Sequence, residues 1–384
     1  MLIHLIAAAR PNFMKIAPLY HALKKEGWAK PVIVHTGQHY DFNMSGLFFK
    51  DLSLPEPDIY LGIGSGTHAE QTGQVMMSYE KVLFETRPDL VIVVGDVNST
   101  VACALAASKI SYKSINTINS SNTTNTTNRE RPLVAHLEAG LRSFDRTMPE
   151  EINRIVTDAL ADIFWTPSPD ADENLIREGV NRKKIDRVGN IMIDSLEMLR
   201  DKIEGESAFS EYEMNKGNYG LVTLHRPSNV DDYQILSKLC KILQGIALKS
   251  PLIFPVHPRT KKSLENFNLI RGLTKSEGIV LTEPMNYVRF MNLVFNCRFV
   301  VTDSGGIQEE TTYLGIPCLT MRPNTERPIT ILQGTNKLCT VDNLEKQFET
   351  IISAGVNNFS APDLWDGQTA SRVVASVKNH FLAI

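Results

Sequence analysis

Short apolar runs rich in β-branched residues alternate with longer amphipathic stretches along most of this chain. The runs are too apolar to face water on either side, which is typical of parallel strands covered by helices on both faces. This alternation predicts an α/β protein built from parallel sheets. Ten strands are predicted, at Leu2–Ala8, Pro31–His35, Leu90–Val94, Leu133–Leu137, Ile163–Thr166, Gly220–Leu224, Leu252–Pro255, Ile279–Leu281, Phe299–Thr302 and Pro317–Thr320.

Chain length and a local change of composition indicate two domains. A chain of 384 residues exceeds what one hydrophobic core usually organises. The polar, glutamate-rich stretch Leu199–Gly217 precedes the strand that starts at Gly220, so a domain change is expected between about residues 190 and 215. A last amphipathic helix, around Gln368–Phe381, fits either domain.

Composition excludes several classes of function. Hydrophobic residues make up 42% of the chain and charged residues 22%, and the formal net charge is -3, so neither a nucleic-acid nor a membrane partner is expected. The N-terminus reads as a strand, not a signal peptide. The five cysteines are widely spaced without a C-x-x-C pair, and the nine histidines show no H-E-x-x-H spacing. We therefore expect reduced thiols in a cytoplasmic protein and no bound metal.

One segment departs from the alternation. Residues Asn116–Asn128 form an Asn/Thr/Ser tract with a single apolar residue. Such a tract cannot bury enough surface to offset its ordering entropy, so we expect a mobile surface loop.

A glycine pair follows the predicted strand Phe299–Thr302. Ser304, Gly305 and Gly306 lead into a helix, where free backbone N–H groups and the helix dipole suit a phosphate. Glu310, one turn later, is placed to bind the two hydroxyls of a ribose. Together these features suggest a nucleotide site, and the alternative is a helix start that contains two glycines by chance.

Charged residues also follow the strands of the N-terminal half. Arg10 and Lys15 come after the first strand, where they would meet an anion or form a solvated basic turn. Asp96 follows Leu90–Val94, where a functional carboxylate is common, although it would also suit an N-cap.

Two more carboxylates belong to this group. Glu138 follows the strand Leu133–Leu137, and Glu150 begins a helix that also carries Arg154. The four-residue spacing of Glu150 and Arg154 is equally that of a helix-stabilising ion pair. If Asp96, Glu138 and Glu150 surround one carbon atom, they suit acid–base chemistry in which one group accepts a proton and another donates one.

The C-terminal half offers a second set of candidates. His225 and Arg226 close its first predicted strand, and His257 follows a later one. A lone histidine in an apolar run is often structural, but a strand-end position favours function. The proline-bounded loop from Arg322 to Arg327 contains two arginines and a glutamate, a composition that suits an anion.

These motifs, taken in order, closely resemble the non-hydrolysing UDP-N-acetylglucosamine 2-epimerases over residues 1 to about 380. The motifs are Ala9–Pro11 with Lys15, Gly95–Asp96, His136–Arg142, Pro149–Arg154, Leu224–Arg226, Asp303–Glu310 and Thr325–Pro328. The resemblance implies a GT-B-type fold, with two Rossmann-like, doubly wound parallel-sheet domains facing across a cleft. It also implies an N-terminal domain of residues 1–190, a C-terminal domain of residues 191–366, and a last helix, 367–384, that packs back on the N-terminal domain.

The resemblance further implies reversible C2 epimerisation of UDP-N-acetylglucosamine (UDP-GlcNAc) in a cytoplasmic homodimer without a cofactor or metal. Its catalytic residues would be Lys15, Asp96, Glu138, Glu150 and His225. Residues that bind the substrate would be Arg10, Arg154, Arg226, His257, Phe290, Ser304, Gly305, Gly306, Glu310 and Arg327. A nicotinamide cofactor is not expected, because the glycine cluster Gly62–Gly66 lacks G-x-G-x-x-G spacing.

Some residues depart from the family pattern. Several bacterial members bind a second substrate molecule as an activator, and Gln38, Arg226 and His257 match residues of that site. The arginine expected near Thr67–His68 is missing, so activation is not assumed. Other hypotheses are a 2-epimerase of a related sugar such as a UDP-2,3-diacetamido uronic acid, a GT-B glycosyltransferase, a hydrolysing epimerase, or a regulatory protein that binds a UDP-sugar without turnover.

Overall fold

The computed structural model describes residues 1–37, 49, 51–112, 129–354 and 359–382. The Asn/Thr/Ser tract at 116–128 and Gln38 lie outside the described residues. Two compact units are present: an N-terminal unit of residues 1–198 and 363–384, and a C-terminal unit of residues 199–362. The domain division at residues 190 and 366 stays a prediction.

The N-terminal unit is a seven-stranded sheet flanked by helices. Its strands are β1 Leu2–Ala7, β2 Lys30–His35, β3 Ile59–Tyr60, β4 Leu90–Val94, β5 Leu133–Leu137, β6 Ile163–Thr166 and β7 Ile185–Arg187. Its helices are α1 Arg10–Lys24, α2 His68–Thr86, α3 Asn98–Lys109, α4 Pro149–Leu160, α5 Pro169–Arg177, α6 Ile191–Glu204 (which runs across the division of the units) and α15 Thr369–Leu382.

The C-terminal unit is a six-stranded sheet of the same kind. Its strands are β8 Gly220–Thr223, β9 Leu252–Pro255, β10 Ile279–Thr282, β11 Phe299–Thr302, β12 Cys318–Met321 and β13 Asn336–Cys339. Its helices are α7 Pro227–Val230, α8 Tyr233–Ala247, α9 Pro258–Asn266, α10 Ile270–Thr274, α11 Tyr287–Asn296, α12 Gly305–Leu314, α13 Ile329–Leu332 and α14 Leu344–Ala354.

Six strands follow the same order in both sheets, and the first sheet has a seventh strand at its edge. The order is β3-β2-β1-β4-β5-β6-β7 in the first sheet and β10-β9-β8-β11-β12-β13 in the second. All the described pairings are parallel. The order reverses between β1 and β4 and between β8 and β11, and ligands of such sheets bind at the carboxyl ends of the strands at this reversal. The prediction of two Rossmann-like, doubly wound parallel sheets is confirmed.

The central strands owe their position to their side chains. All five residues of β4 are buried, and so are all four of β11, because helices cover both faces of each sheet. All five cysteines are buried as free thiols, as expected. Among the described residues, no helix combines the length and the apolar character that crossing a bilayer requires.

Candidate active site

A buried ion pair lies at the strand reversal of the N-terminal unit. Lys15 is on α1, directly after β1, and Glu138 follows β5. Lys15 Nζ donates to Glu138 Oε2 at 2.5 Å, and the two side chains are 10% and 4% exposed. Removing two ions from water costs several kcal/mol each, so an isolated pair of this kind adds little net stability. The pair is therefore better explained by a chemical role than by stability.

The backbone around this pair adopts unusual conformations. Glu138 has φ +70°, a left-handed conformation that costs a non-glycine residue about 1 kcal/mol or more. Its second oxygen, Oε1, is buried and has no hydrogen-bond partner among the described residues. Gly95 has φ +66°, and a Cβ atom there would lie 2.9 Å from Lys15 Nζ. Only glycine lets the end of β4 come this close to the ammonium group. The result is a fixed carboxylate with one lone-pair site still available.

Asp96 forms a second ion pair beside the first. Its Oδ2 accepts from Arg154 Nη1 at 2.5 Å, and its side chain is 30% exposed. The alternative that Asp96 caps a helix is wrong, because α3 begins at Asn98 with Val97 at the N-cap. Asp96 is thus held at the end of β4 by a cation from α4.

Arg154 in turn is fixed by Glu151. Arg154 Nη2 donates to Glu151 Oε2 at 2.6 Å, and the same carboxylate accepts from the backbone N–H groups of Ser143 and Phe144. Burial alone would raise the pKa of Glu151, but these hydrogen bonds lower it below its ordinary value. The alternative of a Glu150–Arg154 helix pair is wrong, since Arg154 pairs with Asp96 and Glu151 among the described residues.

Two predicted residues are not part of these contacts. Glu150 is exposed in the first turn of α4, and within the described ranges no ion pair links it to the groups above. Arg10 is exposed at the first position of α1. Their assignments stay predictions.

Asp303 organises the strand reversal of the C-terminal unit. This fully buried carboxylate follows β11 and accepts from the backbone N–H groups of His225 and Arg226, at 3.0 and 2.9 Å, and from Asn229 Nδ2 at 3.0 Å. Burial alone would raise the pKa of Asp303, but hydrogen bonds from His225, Asn229 and Arg226 lower it. Asp303 therefore ties the end of β8 to the end of β11.

His225 and His257 lie side by side at this place. His225 Nδ1 is 2.9 Å from Asp303 Oδ1, and its side chain is 39% exposed. The ring centroids of His225 and His257 are 5.4 Å apart. Burial, and then the neighbouring His225, lower the pKa of His257. The structural and the functional interpretation of His225 are compatible, because one ring nitrogen contacts Asp303 while part of the ring stays accessible.

The predicted phosphate site is a helix start bordered by buried charges. Ser304 is the N-cap of α12, which begins at Gly305. A Cβ atom on Gly305 would lie 2.9 Å from Glu326 Oε1, 3.1 Å from Arg327 Nη1 and 3.8 Å from Arg322 Nη1. The structure thus brings Gly305 and Arg327 together. The other side of the turn is open, since a Cβ atom on Gly306 would meet nothing within 4 Å.

Arg322, which the sequence placed only in the loop that suits an anion, has buried donor groups without a hydrogen-bond partner among the described residues. Its side chain is 1% exposed and Nη2 donates to Glu326 Oε2 at 2.8 Å. Its Nε and Nη1 groups are buried without a hydrogen-bond partner among the described residues. Buried guanidinium donors without a partner are costly, and an anion at the helix start would supply acceptors. The only sequence signal was the composition of the loop.

Glu310 lies one turn into α12 and is also buried. The hydroxyl of Tyr287, from α11, donates to Glu310 Oε1 at 2.7 Å. The pKa of Glu310 is raised to about 7, and burial is the largest cause. The Tyr287 hydrogen bond acts in the opposite direction, and the charge of neighbouring Glu309 adds to the rise. Phe290 is on the same helix as Tyr287 and is half-buried. Tyr287 was missed from sequence, because nothing local links residues 23 positions apart.

No three His, Cys, Asp or Glu side chains group as metal ligands within the described parts of the chain. The chemistry available to these sites is that of carboxylates, an ammonium group, guanidinium groups and imidazoles. Carboxylates in the N-terminal unit suit proton transfer, and a cationic helix start in the C-terminal unit suits a phosphate.

Comparison with known proteins gives matches over most of the chain. A family model described as UDP-N-acetylglucosamine 2-epimerase matches residues 21–115 and 124–378. UDP-N-acetylglucosamine 2-epimerase of Methanocaldococcus jannaschii is 42% identical over 361 residues, which is 91% of each chain. UDP-2,3-diacetamido-2,3-dideoxy-D-glucuronate 2-epimerase of Pseudomonas aeruginosa is 38% identical over 336 residues, 87% of this chain and 86% of the relative.

A solved structure matches equally widely. The crystal structure of the M. jannaschii UDP-GlcNAc 2-epimerase in complex with UDP-GlcNAc and UDP has a TM-score of 0.82 and 39% identity, and the match covers 99% of this chain and 100% of that one. The match confirms the predicted GT-B-type fold class. By its family model, its relatives and its fold, this chain belongs to the UDP-N-acetylglucosamine 2-epimerase family.

Proposed function

We propose that this protein is an isomerase that reversibly converts UDP-GlcNAc into UDP-N-acetylmannosamine by inverting C2 of the sugar. Family membership supports the class of reaction, and a relative of the same family has been solved with UDP-GlcNAc and UDP. The observation that carries the proposal is Glu138, a buried carboxylate with one oxygen on Lys15 and the other without a partner among the described residues. Such a group is fixed in place and able to accept or return a proton.

The substrate dictates the order of the chemistry. The hydrogen on C2 is not acidic, because no ketone adjoins it, so a carboxylate cannot remove it unless positive charge develops nearby. Cleavage of the C1–O bond gives C1 oxocarbenium character, the bonding electrons leave with UDP, and a carboxylate takes the C2 proton. The products of this anti elimination are 2-acetamidoglucal and UDP. Addition of UDP oxygen to C1, with proton delivery to the opposite face of C2, gives the epimer.

We assign these roles to the residues of the two units. Asp96, Glu138 and Glu150 supply the base and the acid, and Lys15, Arg154 and His225 contact the reacting sugar. Ser304, Gly305 and Gly306 bind the diphosphate, and Arg10 and Arg327 add positive charge at the phosphates or the sugar. Glu310 binds the ribose, and Phe290 borders the uracil. Arg226 and His257 contribute to substrate binding.

The leaving diphosphate gathers negative charge as the C1–O bond breaks. The groups that favour this charge are the backbone N–H groups at Gly305 and Gly306 and the Arg322 donors that have no partner among the described residues. A well-placed donor of this kind contributes roughly 3 kcal/mol to a transition state. Electrostatic stabilisation of UDP would thus replace the role that a cofactor plays in other epimerases.

The proposal is tested by incubation with UDP-GlcNAc in deuterated water, followed by NMR. We expect deuterium at C2 of both epimers, with traces of UDP and glycal. Free N-acetylmannosamine as the sole product, or turnover without label, would overturn the assignment and point to a hydrolysing enzyme or to another class.

Asp96→Asn and Glu138→Gln test the carboxylates. Each substitution keeps the shape of the side chain and removes its basicity, so we expect turnover to be abolished while UDP still binds. A near-normal rate in either variant would remove that residue from the mechanism. Binding of UDP, measured by calorimetry, controls for folding.

A second substrate has a specific observation in its favour, the P. aeruginosa relative that acts on a UDP-2,3-diacetamido glucuronate. The two sugars differ at C3 and C6, where the second carries an acetamido group and a carboxylate. Comparing kcat/KM for the two UDP-sugars decides between them. A higher value for the uronate would replace UDP-GlcNAc as the substrate and leave the reaction at C2 unchanged.

We also propose a cytoplasmic homodimer. Five buried free thiols fit a reducing compartment. Light scattering of the purified protein checks the dimer, and a mass of one chain would contradict it.

A further inference from the structure

A network of alternating charges, buried except for Glu178 at its outer end, lies next to the Asp96 and Glu138 carboxylates. Arg142 contacts Glu178 Oε2 at 2.6 Å and Asp158 Oδ2 at 2.7 Å. Asp158 Oδ1 is 2.6 Å from Nδ1 of His136, a residue of β5 that is fully buried. His136 Nε2 is 2.9 Å from the carbonyl oxygen of Gly95. None of these side chains was given a role in the reaction above.

Both ring nitrogens of His136 face acceptors. A neutral imidazole carries one N–H, so one of the two contacts would set a lone pair of the ring against an oxygen lone pair. Protonation of Asp158 would relieve this, but Asp158 Oδ2 also accepts from Arg142 and from the backbone N–H of Gly140, at 3.1 Å. Although burial raises the pKa of Asp158, contacts with His136 and Arg142 lower it below its ordinary value. Asp158 is thus the anion and the imidazolium form of His136 satisfies both contacts.

The network of charged side chains contacts the candidate site at the Gly95 carbonyl. Gly95 N–H donates to Leu137 O at 3.1 Å and the Gly95 carbonyl accepts from His136, so the peptide groups on both sides of Gly95 are held by hydrogen bonds. Asp96 is the next residue, and Glu138 is two residues after His136 on the adjoining strand end. A change at His136 is therefore passed to both carboxylates through the backbone.

We propose that His136 is a positioning residue that works as an imidazolium: Asp158 holds it in the charged form, and its Nε2–H fixes the Gly95 peptide and with it the Asp96 and Glu138 carboxylates. The inference rests on the proposed function for its kinetic test only. By this inference the reaction also needs His136, a charged residue that does not contact the substrate.

The protonation state is measured on the whole protein, labelled with ¹⁵N in its histidine rings. His136 is assigned by the signal lost in His136→Gln. We expect two protonated ring nitrogens at pH 7.5, and a change to one in Asp158→Asn, because an amide can donate to Nδ1 of a neutral ring. His4 is the matched internal control: it is equally buried, its Nδ1 contacts the Tyr79 hydroxyl at 3.0 Å, and burial lowers its pKa to about 3, so it should be neutral. A single ring N–H on His136 in the unmodified protein would overturn the proposal.

The positioning role is measured by kinetics in two variants that differ in reach. His136→Gln places an amide N–H near the former Nε2 and keeps a donor to the Gly95 carbonyl, whereas His136→Asn reaches only towards Asp158. We expect kcat to fall about a hundredfold in His136→Asn and less than about tenfold in His136→Gln, the size of effect that a misplacement of about 1 Å produces. KM should stay within about threefold, and the affinity for UDP should not change. His4→Gln controls for the loss of a buried histidine in the same sheet and should keep full kcat.

The outcomes separate the two proposals. Equal kcat in the two His136 variants, or a rise in KM with kcat unchanged, would refute the positioning role. If His136→Asn fails to fold, Asp158→Asn is used, because asparagine has the shape of aspartate. Two protonated ring nitrogens on His136 in that variant would refute the role of Asp158. If the unmodified protein turns over no UDP-sugar, the proposed function fails, while the ring signals still decide the charge of His136.

Discussion

Several ionised side chains of this protein are buried away from water. Glu138 with Lys15, and Asp158 with His136 and Arg142, are each nearly or fully buried and each closely paired. Desolvation of such ions offsets most of their mutual attraction, whereas removal of one partner leaves an uncompensated charge that costs about 3–5 kcal/mol. These groups are consequently sensitive to substitution although they add little stability, as expected of residues kept for chemistry.

We expect Glu310 to make nucleotide affinity depend on pH. Its pKa is raised from the ordinary value to about 7 by burial. The proposed ribose contact requires the carboxylate, so a proton competes with the ligand and affinity is lost as pH falls through 7. We expect binding of UDP-GlcNAc to be about tenfold weaker at pH 6 than at pH 8. Calorimetry on the Asp96→Asn protein, which we expect to bind without turnover, measures this.

Glu310→Gln is the control for this titration. Its affinity should be low and should lack the loss at acid pH. Any titration of other groups remains in both proteins and cancels in the comparison. The same pH dependence in both proteins would assign the effect to another group.

At the scale of helices and strands, the start of α12 depends on one of its two glycines. The Gly305 position borders the buried side chains of Glu326 and Arg327, which cannot move without breaking their ion pair. We expect Gly305→Ala to lower the free energy of unfolding by about 1–3 kcal/mol, the usual effect of overpacking. Urea denaturation followed by circular dichroism measures it.

Gly306→Ala is the matched substitution one residue later. A Cβ atom at Gly306 meets nothing within 4 Å, and alanine in a helix is favoured over glycine by about 0.5–1 kcal/mol. Unfolding should therefore be unchanged or require slightly more urea. Equal destabilisation by the two substitutions would show that the need for glycine at position 305 comes from the conformation of the turn and not from the neighbouring ion pairs.

The predicted strands can be compared with those of the structure to show how much a local sequence pattern predicts. All ten are present, and Leu90–Val94, Leu133–Leu137, Ile163–Thr166, Leu252–Pro255 and Phe299–Thr302 have the predicted bounds. The three strands that were not predicted, β3, β7 and β13, are all at the edge of a sheet. An edge strand pairs on one side only and is short or partly polar, so it lacks the apolar signal of a central strand.

At the scale of the molecule, the chain returns to its N-terminal unit through α15. Trp165 Nε1 donates to Ser376 Oγ at 2.7 Å, and Asp194 accepts from the backbone N–H of Ala370 at 2.7 Å. Val373 and Val377 are fully buried on this helix. Helix α15 is therefore part of the hydrophobic core of the N-terminal unit.

Val377→Asp tests this contribution. Burying a carboxylate without a partner should destabilise the N-terminal unit by roughly 3 kcal/mol. Hydrogen exchange read by mass spectrometry should show faster exchange in peptides of β6 and α6. Ser371→Asp, at an exposed position of the same helix, is the control and should leave exchange unchanged. No change in Val377→Asp would mean that α15 is dispensable for this unit.

Periodicity and strand-end motifs determined the class of fold, the central strands and the places where function would concentrate. These follow from sequence because burial of a strand and the start of a helix are set by neighbouring residues. Which charges from distant parts of the sequence meet was decided by the tertiary structure. Lys15 pairs with Glu138 across 123 positions and Arg154 with Asp96 across 58, while the local pairing of Arg154 with Glu150 is not made. Strand order sets these partners, because it determines which strand ends lie side by side, and no local pattern encodes that order.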